Sequence, residues 1–243
     1  MNRFVTLLLL TGLLSCGKSD SPTPGNGVGG STARFTLAGT TLYTLSDQYL
    51  QTYDLRTGTP VQGPKQQLGL GLETLFPYGQ HLFVGTRTGM FILSLAQPSA
   101  PKQVGYYSHM LSCDPVVVQG SYAYVTLRSG TTCRSQGPSS LDIIDISIIE
   151  QPKLVKSYPM TSPHGLGVYG TTLFVGEGDK GLRIMDISNP LNAKTVQYLT
   201  DVKSYDVIPL SNVLIVTGPD GVYQYSYADP TQLKLLSKIS LTP

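Results

Sequence analysis

Charge is scarce in this sequence. Asp, Glu, Lys and Arg make up 13% of its 243 residues, and the formal net charge is +2. No basic run or stripe occurs, which argues against nucleic-acid binding through phosphate neutralisation. Histidine is confined to His81, His109 and His164, without His-x-His or HExxH spacing, so no metal site is expected. There is no GxSxG nucleophile elbow, P-loop or dinucleotide fingerprint, so neither a catalytic motif nor a cofactor is expected. The glycines at 25–30 follow no strand and are not a phosphate cradle. No window sustains a 3.6-residue period, so helix is not expected in the mature domain. Past the N-terminus, no apolar run approaches membrane-spanning length.

What is present begins with a leader. Arg3 precedes an apolar run from Phe4 to Leu14, too short to span a bilayer and flanked like an export signal. Residues 1–15 are therefore expected to be a signal peptide. Leu13-Leu14-Ser15-Cys16 resembles the lipobox of bacterial lipoproteins, and the resemblance implies that Cys16 carries lipid and is the only contact with the membrane. Residues 16–32, almost all Gly, Ser, Pro, Thr and polar types, read as a disordered tether. Gly17 stands where inner-membrane retention would favour Asp. The expected location is the outer membrane, at its periplasmic face or on the cell surface.

Residues 33–243 contain a repeated phrase. Its copies LAGTTLYTL, PYGQHLFVG, VQGSYAYVT, VYGTTLFVG and PLSNVLIVT are anchored at Gly39, Gly79, Gly120, Gly170 and Ser211, in steps of 40, 41, 50 and 41 residues. A second phrase keeps the same register through Asp54, Ser94, Asp145, Asp186 and Ser226. A period near 40 points to a propeller or a solenoid. The fourth repeat resolves into four short strands: 166–169, 173–176, 182–187 and 194–199. Several are apolar on both faces, as in Leu173-Phe174-Val175, so both sides of the sheet are covered. The expectation is an all-β, five-bladed propeller with repeats at about 33–73, 74–114, 115–164, 165–205 and 206–243. The alternative is an open β-solenoid, which would need polar capping repeats that are not evident.

Leu141-Asp-Ile-Ile-Asp145 and Leu182-Arg-Ile-Met-Asp186, each after a strand of the YAYV or LFV type, resemble the LVIVD repeat of bacterial and archaeal surface proteins. Repeat 1 matches more loosely, and in repeats 2 and 5 Ser94 and Ser226 replace the terminal Asp. The resemblance implies a propeller on an exported protein. It supplies no shared catalytic motif.

The strand-end aspartates Asp54, Asp145 and Asp186 are expected to accept local turn hydrogen bonds rather than to ring a metal. The enlarged repeat holds an extra loop at 128–138 with Cys133, while Cys113 lies in the connection entering the same blade. Both positions fall on one propeller face, so a Cys113–Cys133 disulfide is expected in an oxidising compartment, stabilising by about 3 kcal/mol. The position six before each anchor gives Ala33, Glu73, Asp114, His164 and Tyr205 around the channel mouth. His109, Arg128, Arg134, Glu177, Lys203 and Asp206 lie nearby and complete a candidate binding face.

Two functions follow. The first is a lipid-anchored, non-catalytic envelope module that binds or scaffolds protein or glycan partners. The alternative is a glycan-active hydrolase or lyase that uses Glu73, Asp114 and His164 at the mouth.

Overall fold

A computed structural model describes residues 30–109 and 115–241. It contains five sheets of four antiparallel strands. Blade 1 is β1 (Phe35–Ala38), β2 (Thr41–Leu45), β3 (Tyr49–Asp54) and β4 (Val61–Gln67). Blade 2 is β5 (Leu72–Tyr78), β6 (His81–Thr86), β7 (Gly89–Ser94) and β8 (Lys102–Ser108). Blade 3 is β9 (Val116–Gln119), β10 (Tyr122–Leu127), β11 (Ser140–Asp145) and β12 (Lys153–Pro159). Blade 4 is β13 (Leu166–Tyr169), β14 (Thr172–Gly176), β15 (Leu182–Asp186) and β16 (Lys194–Leu199). Blade 5 is β17 (Asp206–Pro209), β18 (Val213–Gly218), β19 (Gly221–Ser226) and β20 (Lys234–Ser240). The chain is thus the expected five-bladed propeller. One departure from all-strand structure is a single 3₁₀ turn, Pro190–Asn192, where Asn189 accepts a hydrogen bond from the Leu191 amide at 3.2 Å.

The strands are apolar on both faces because consecutive side chains serve different neighbours. In β6, Leu82 packs with Tyr43 and Leu50 of blade 1, while Phe83 packs with Val118 and Ile144 of blade 3. In β14, Leu173 joins Tyr124 and Ile143 of blade 3, while Phe174 joins Val207 and Val216 of blade 5. Each fully buried side chain of this size contributes about 1.5–3 kcal/mol. Tyrosine hydroxyls clasp the same interfaces. Tyr43 donates to the Pro98 carbonyl at 2.8 Å, and Tyr78 accepts from the Gly120 amide at 2.8 Å. Tyr158 donates to the Pro190 carbonyl at 2.9 Å and accepts from the Ala193 amide at 2.7 Å.

Around the axis β1 packs on β5, β5 on β9, β9 on β13 and β13 on β17. The seam between blades 5 and 1 is built differently. No buried apolar cluster among the described residues spans it. Instead the chain entering β1 runs across the mouth. The Ser31 hydroxyl accepts from the Leu166 amide at 2.7 Å and donates to Asp206 Oδ1 at 3.3 Å, and the Thr32 hydroxyl donates to Asp206 Oδ2 at 2.6 Å. The Ala33 carbonyl accepts from the Leu75 amide at 3.0 Å. Gly30 and Ser31 are buried. The fold therefore begins three residues earlier than the expected tether boundary, because these small residues satisfy polar groups at the axis. The rest of that tether and the leader lie outside the described residues.

In every blade the pairing between the third and fourth strands shifts register, at Gln51/Tyr53, Ile92/Leu93, Ile143/Ile144, Ile184/Met185 and Gln224/Tyr225. Each outer strand carries a lysine: Lys65, Lys102, Lys153, Lys194 and Lys234. Bulges and edge lysines both discourage edge-to-edge association.

The turn glycines Gly39, Gly79, Gly120 and Gly170 have φ of 60°, 56°, 60° and 57°. A Cβ at Gly170 would meet nothing within 4 Å, so substitution there tests the backbone alone. Gly170→Ala should destabilise by about 1–2 kcal/mol and Gly170→Asn by less, measured by denaturant unfolding. At the seam, Asp206→Ala leaves the Ser31 and Thr32 hydroxyls and the Val207 amide without their acceptor. It should cost about 1–3 kcal/mol in the same assay.

Candidate functional site

The mouth at the blade 3, 4 and 5 end is a cleft of about 360 Å³. Its polar lining includes Arg128, His164, Tyr205, Asp206, Thr32 and Thr217. Arg128 follows β10 at the start of the blade 3 insertion. His164 precedes β13, held by its amide donating to the Gly176 carbonyl at 2.7 Å and its carbonyl accepting from the Thr126 hydroxyl at 2.8 Å. Tyr205 precedes β17, and Asp206 opens it.

These side chains form one connected arrangement. The His164 ring stacks on Tyr205 with centroids 4.9 Å apart and planes 10° from parallel. His164 Nδ1 lies 2.8 Å from the Ser162 carbonyl, and Nε2 meets Arg128 Nη1. A carbonyl only accepts and a guanidinium only donates, so Nδ1 carries the proton and Nε2 accepts from Arg128. Burial, with the Arg128 charge adding to it, pushes His164 below the ordinary histidine range, while the bond to Ser162 and the charge of Asp179 partly oppose this. The imidazole is therefore neutral at pH 7, and its lone pair is already engaged. Tyr205 Oη reaches Asp179 Oδ1 at 3.4 Å.

Asp206 accepts from Ser31, Thr32 and the Val207 amide, the last at 3.0 Å. Burial raises its pKa, and these donors limit the rise. A Cβ on Gly165 would collide with this carboxylate, which is why the residue between His164 and β13 is glycine.

Of the expected binding face, the cleft unites Arg128, His164, Tyr205 and Asp206. The other described members lie elsewhere. Glu73 pairs with Arg87, Nε to Oε1 at 3.3 Å, and does not line the cleft. Its carboxyl is raised by burial, with Arg87 opposing. Lys203 is exposed and 3.5 Å from Asp220. His109 packs near Tyr107, with centroids 6.2 Å apart. Asp114 and Cys113 lie outside the described residues, as does Cys16.

Two residues expected at the surface are buried. Glu177 is 0% exposed. It accepts from Tyr198 Oη at 2.9 Å, and Arg183 Nε lies 2.9 Å from its other oxygen without hydrogen-bond alignment. The arginine also covers the Tyr198 ring at 5.0 Å. Glu177 is thus an internal brace of blade 4, and the loop position misled because its backbone turns inward to bond Gly181. Arg134 is 8% exposed. Its amide bonds the Thr131 hydroxyl at 3.0 Å and its Nε donates to the Gln136 carbonyl at 3.3 Å, so it holds the insertion together. In the same loop Cys133 is disulfide-bonded.

The strand-end aspartates make the expected turns. Asp145 and Asp186 accept from the Ser147 and Ser188 amides at 2.8 Å. Those bonds, first of all the backbone ones, hold both carboxyls below the usual range. Asp54 accepts from the Arg56 amide at 2.9 Å and from its side chain. Thr32, Thr217 and Ser31 were missed. Thr217 is the cross-strand partner of Asp206, a signal that the repeat alignment contains.

No curated protein sequence matches the chain. Solved structures do, at identities that show the fold alone. A protein of unknown function from Desulfotomaculum acetoxidans superposes with TM-score 0.67 at 12% identity, over 88% of this chain and 69% of that one. A periplasmic gluconolactonase of Pseudomonas aeruginosa gives 0.64 at 15%, over 83% and 68%. BamB of Moraxella catarrhalis gives 0.56 at 13%, over 77% and 54%.

Protonating His164 would place two cations in contact. Its folded pKa lies below the unfolded value of about 6.5, so the folded state binds fewer protons and stability rises with pH through this window. Stability should fall as pH drops below about 6.5, and His164→Gln should lack this component when thermal unfolding is followed across pH. Residues 164–196, nearly all of blade 4, match the LVIVD repeat, so the chain is a five-bladed propeller whose fourth blade is similar to that repeat.

Proposed function

We propose that this chain is a lipid-anchored envelope module that binds a ligand at the blade 3–5 mouth without transforming it. The observation that carries this reading is the Arg128–His164–Tyr205 arrangement. It offers a cation, a neutral ring whose lone pair is engaged, and an exposed aromatic in one cleft, and among the described residues no free acid–base pair. A general base must reach the proton it removes, and Nε2 is held by Arg128. The alternative reading as a glycan-active hydrolase or lyase rests on Glu73, Asp114 and His164; Glu73 is engaged with Arg87 outside the cleft, and Asp114 lies outside the described residues.

Fold likeness supports binding in a broad sense. One similar structure is a nidogen/laminin complex, which superposes with TM-score 0.58 at 12% identity over 83% of this chain and 76% of that one. In this proposal export and lipidation at Cys16 place the propeller on the envelope, and Cys113 is the partner of Cys133 in bracing the insertion beside the cleft. No helix among the described residues is long and apolar enough to cross a membrane.

Crosslinking on cells followed by mass spectrometry tests the mouth directly. The double variant Arg128→Gln/Tyr205→Ala should lose partner recovery by about 30-fold or more, as expected when two central contacts are removed, with an unchanged fold by circular dichroism. Recovery equal to the parent would reject the mouth as the binding face. Cys16→Ser should move the protein from the membrane to the soluble fraction, and persistence in the membrane would reject the anchor.

A further inference from the structure

We infer that the cleft takes an acidic sugar, a uronic or aldonic acid either free or at the end of an acidic glycan. This rests on the reading of the mouth as a binding site and adds the chemical class of its ligand.

The first indication is the charge of Arg128. Among the described residues none of the ion pairs involves it. Its Nη1 meets His164 Nε2, which is a neutral acceptor, so among the described residues the half-buried guanidinium has no counter-ion within ion-pair distance. Arginine presents five N–H donors in a planar fork that matches a carboxylate in two-point geometry. Because His164 takes only one of them, an incoming carboxylate finds donors ready. A half-buried cation lacking a partner is a feature that a bound anion corrects.

The second indication is Tyr205. One face of its ring is covered by His164 in the stacked arrangement, and the residue remains 39% exposed. The stack fixes the ring beside the cleft with little rotamer freedom left to lose on binding. Such a plate suits the C–H face of a pyranose, which is apolar although its rim is hydroxylated.

The third indication is the set of acceptors opposite the cation. Asp206 takes hydroxyl and amide donors on both of its oxygens, and the Thr32 backbone adds to them, so it brings its charge rather than a free lone pair to this wall. Thr32 and Thr217 stand beside it in the cleft. The two threonine hydroxyls donate within the protein and keep lone pairs that accept from ligand hydroxyls, and the Asp206 carboxylate disfavours a second anionic group on that side. A bare anion would leave this wall and the aromatic plate unused, and a neutral sugar would leave Arg128 uncompensated. The volume of about 360 Å³ lies at the lower end for small-molecule sites, which suits one or two sugar units.

The test is titration of the full chain, followed by calorimetry and by the amide signals of Gly165 and Thr217. The probes are galacturonate, a short galacturonate oligomer, galactose, galacturonate methyl ester and inorganic phosphate. Galacturonate or its oligomer should bind about 10- to 100-fold more tightly than galactose or the methyl ester, the range for a hydrogen bond to a charged group. Arg128→Gln should remove that preference, and Tyr205→Ala should weaken the acids while leaving any phosphate binding unchanged. Tighter binding of the oligomer identifies a glycan end as the ligand, whereas equal binding identifies a free sugar acid.

Equal binding of galactose and galacturonate would overturn the acidic-sugar assignment while leaving the cleft as a binding site. So would phosphate competing as well as galacturonate with no effect of Tyr205→Ala. If no probe shifts Gly165 or Thr217 while partner recovery on cells still depends on Arg128 and Tyr205, the sugar assignment fails and the mouth stands. If recovery is also independent of both residues, the mouth itself fails. Circular dichroism and thermal unfolding of Arg128→Gln and Tyr205→Ala, each expected to match the parent, guard against a folding defect.

Discussion

Each blade is a sheet with two apolar faces, and such a sheet persists only if both faces are covered. Four of the junctions meet that requirement with close-packed side chains, contributed alternately by successive residues of one strand. At the remaining junction no such cluster occurs among the described residues, and Asp206 and the Leu166 amide tie the chain entering β1 to blades 5 and 4. Asp206 gathers the hydroxyls of Ser31 and Thr32, 175 and 174 positions earlier in sequence, and the amide of its neighbour Val207. Loop-closure entropy grows slowly with length, so a few well-aligned bonds suffice to join the ends once the blades have stacked. The same carboxylate forms part of the cleft. Closure of the ring and composition of the mouth are therefore one problem, solved by one group of residues.

The mouth also shows how surroundings determine chemistry. His164 is a residue that titrates near neutrality elsewhere. Here a carbonyl fixes its proton on Nδ1 and a guanidinium occupies Nε2. The ring becomes a flat, neutral spacer that orients Tyr205 and Arg128. Its role is positional, and the charge that faces the cleft belongs to the arginine.

Much of the fold was legible because its signals repeat. Glycines at φ near +60° recur where the first strand turns into the second in blades 1 to 4, with Ser211 at that position in blade 5, and an Asp or Ser recurs wherever the third strand ends. Both are local requirements that a single chain displays openly. Strand edges in the fourth repeat agreed with β13, β15 and β16 to within a residue. What was illegible depended on tertiary placement. Glu177 and Arg134 look like solvated loop residues, and only the inward turn of their backbones commits them to internal bonds. Ser31 and Thr32 look like linker, since nothing local marks two small hydroxyl residues as ligands of an aspartate 175 and 174 positions away. Nor does anything local mark Tyr43, Tyr78 and Tyr158 as residues whose hydroxyls clasp adjacent blades.

The entry of the chain at the mouth has a consequence for orientation. Ser31 and Thr32 lie beside the cleft, so the described chain enters the propeller at that end. Only fourteen peptide steps separate Gly30 from Cys16, a reach of at most about 50 Å when fully extended. With Cys16 in the bilayer as proposed, the cleft would hang within that distance of the headgroups and turn toward them. Ligands would then be met in the thin layer next to the membrane, and those approaching from the far side would have to pass around the blades.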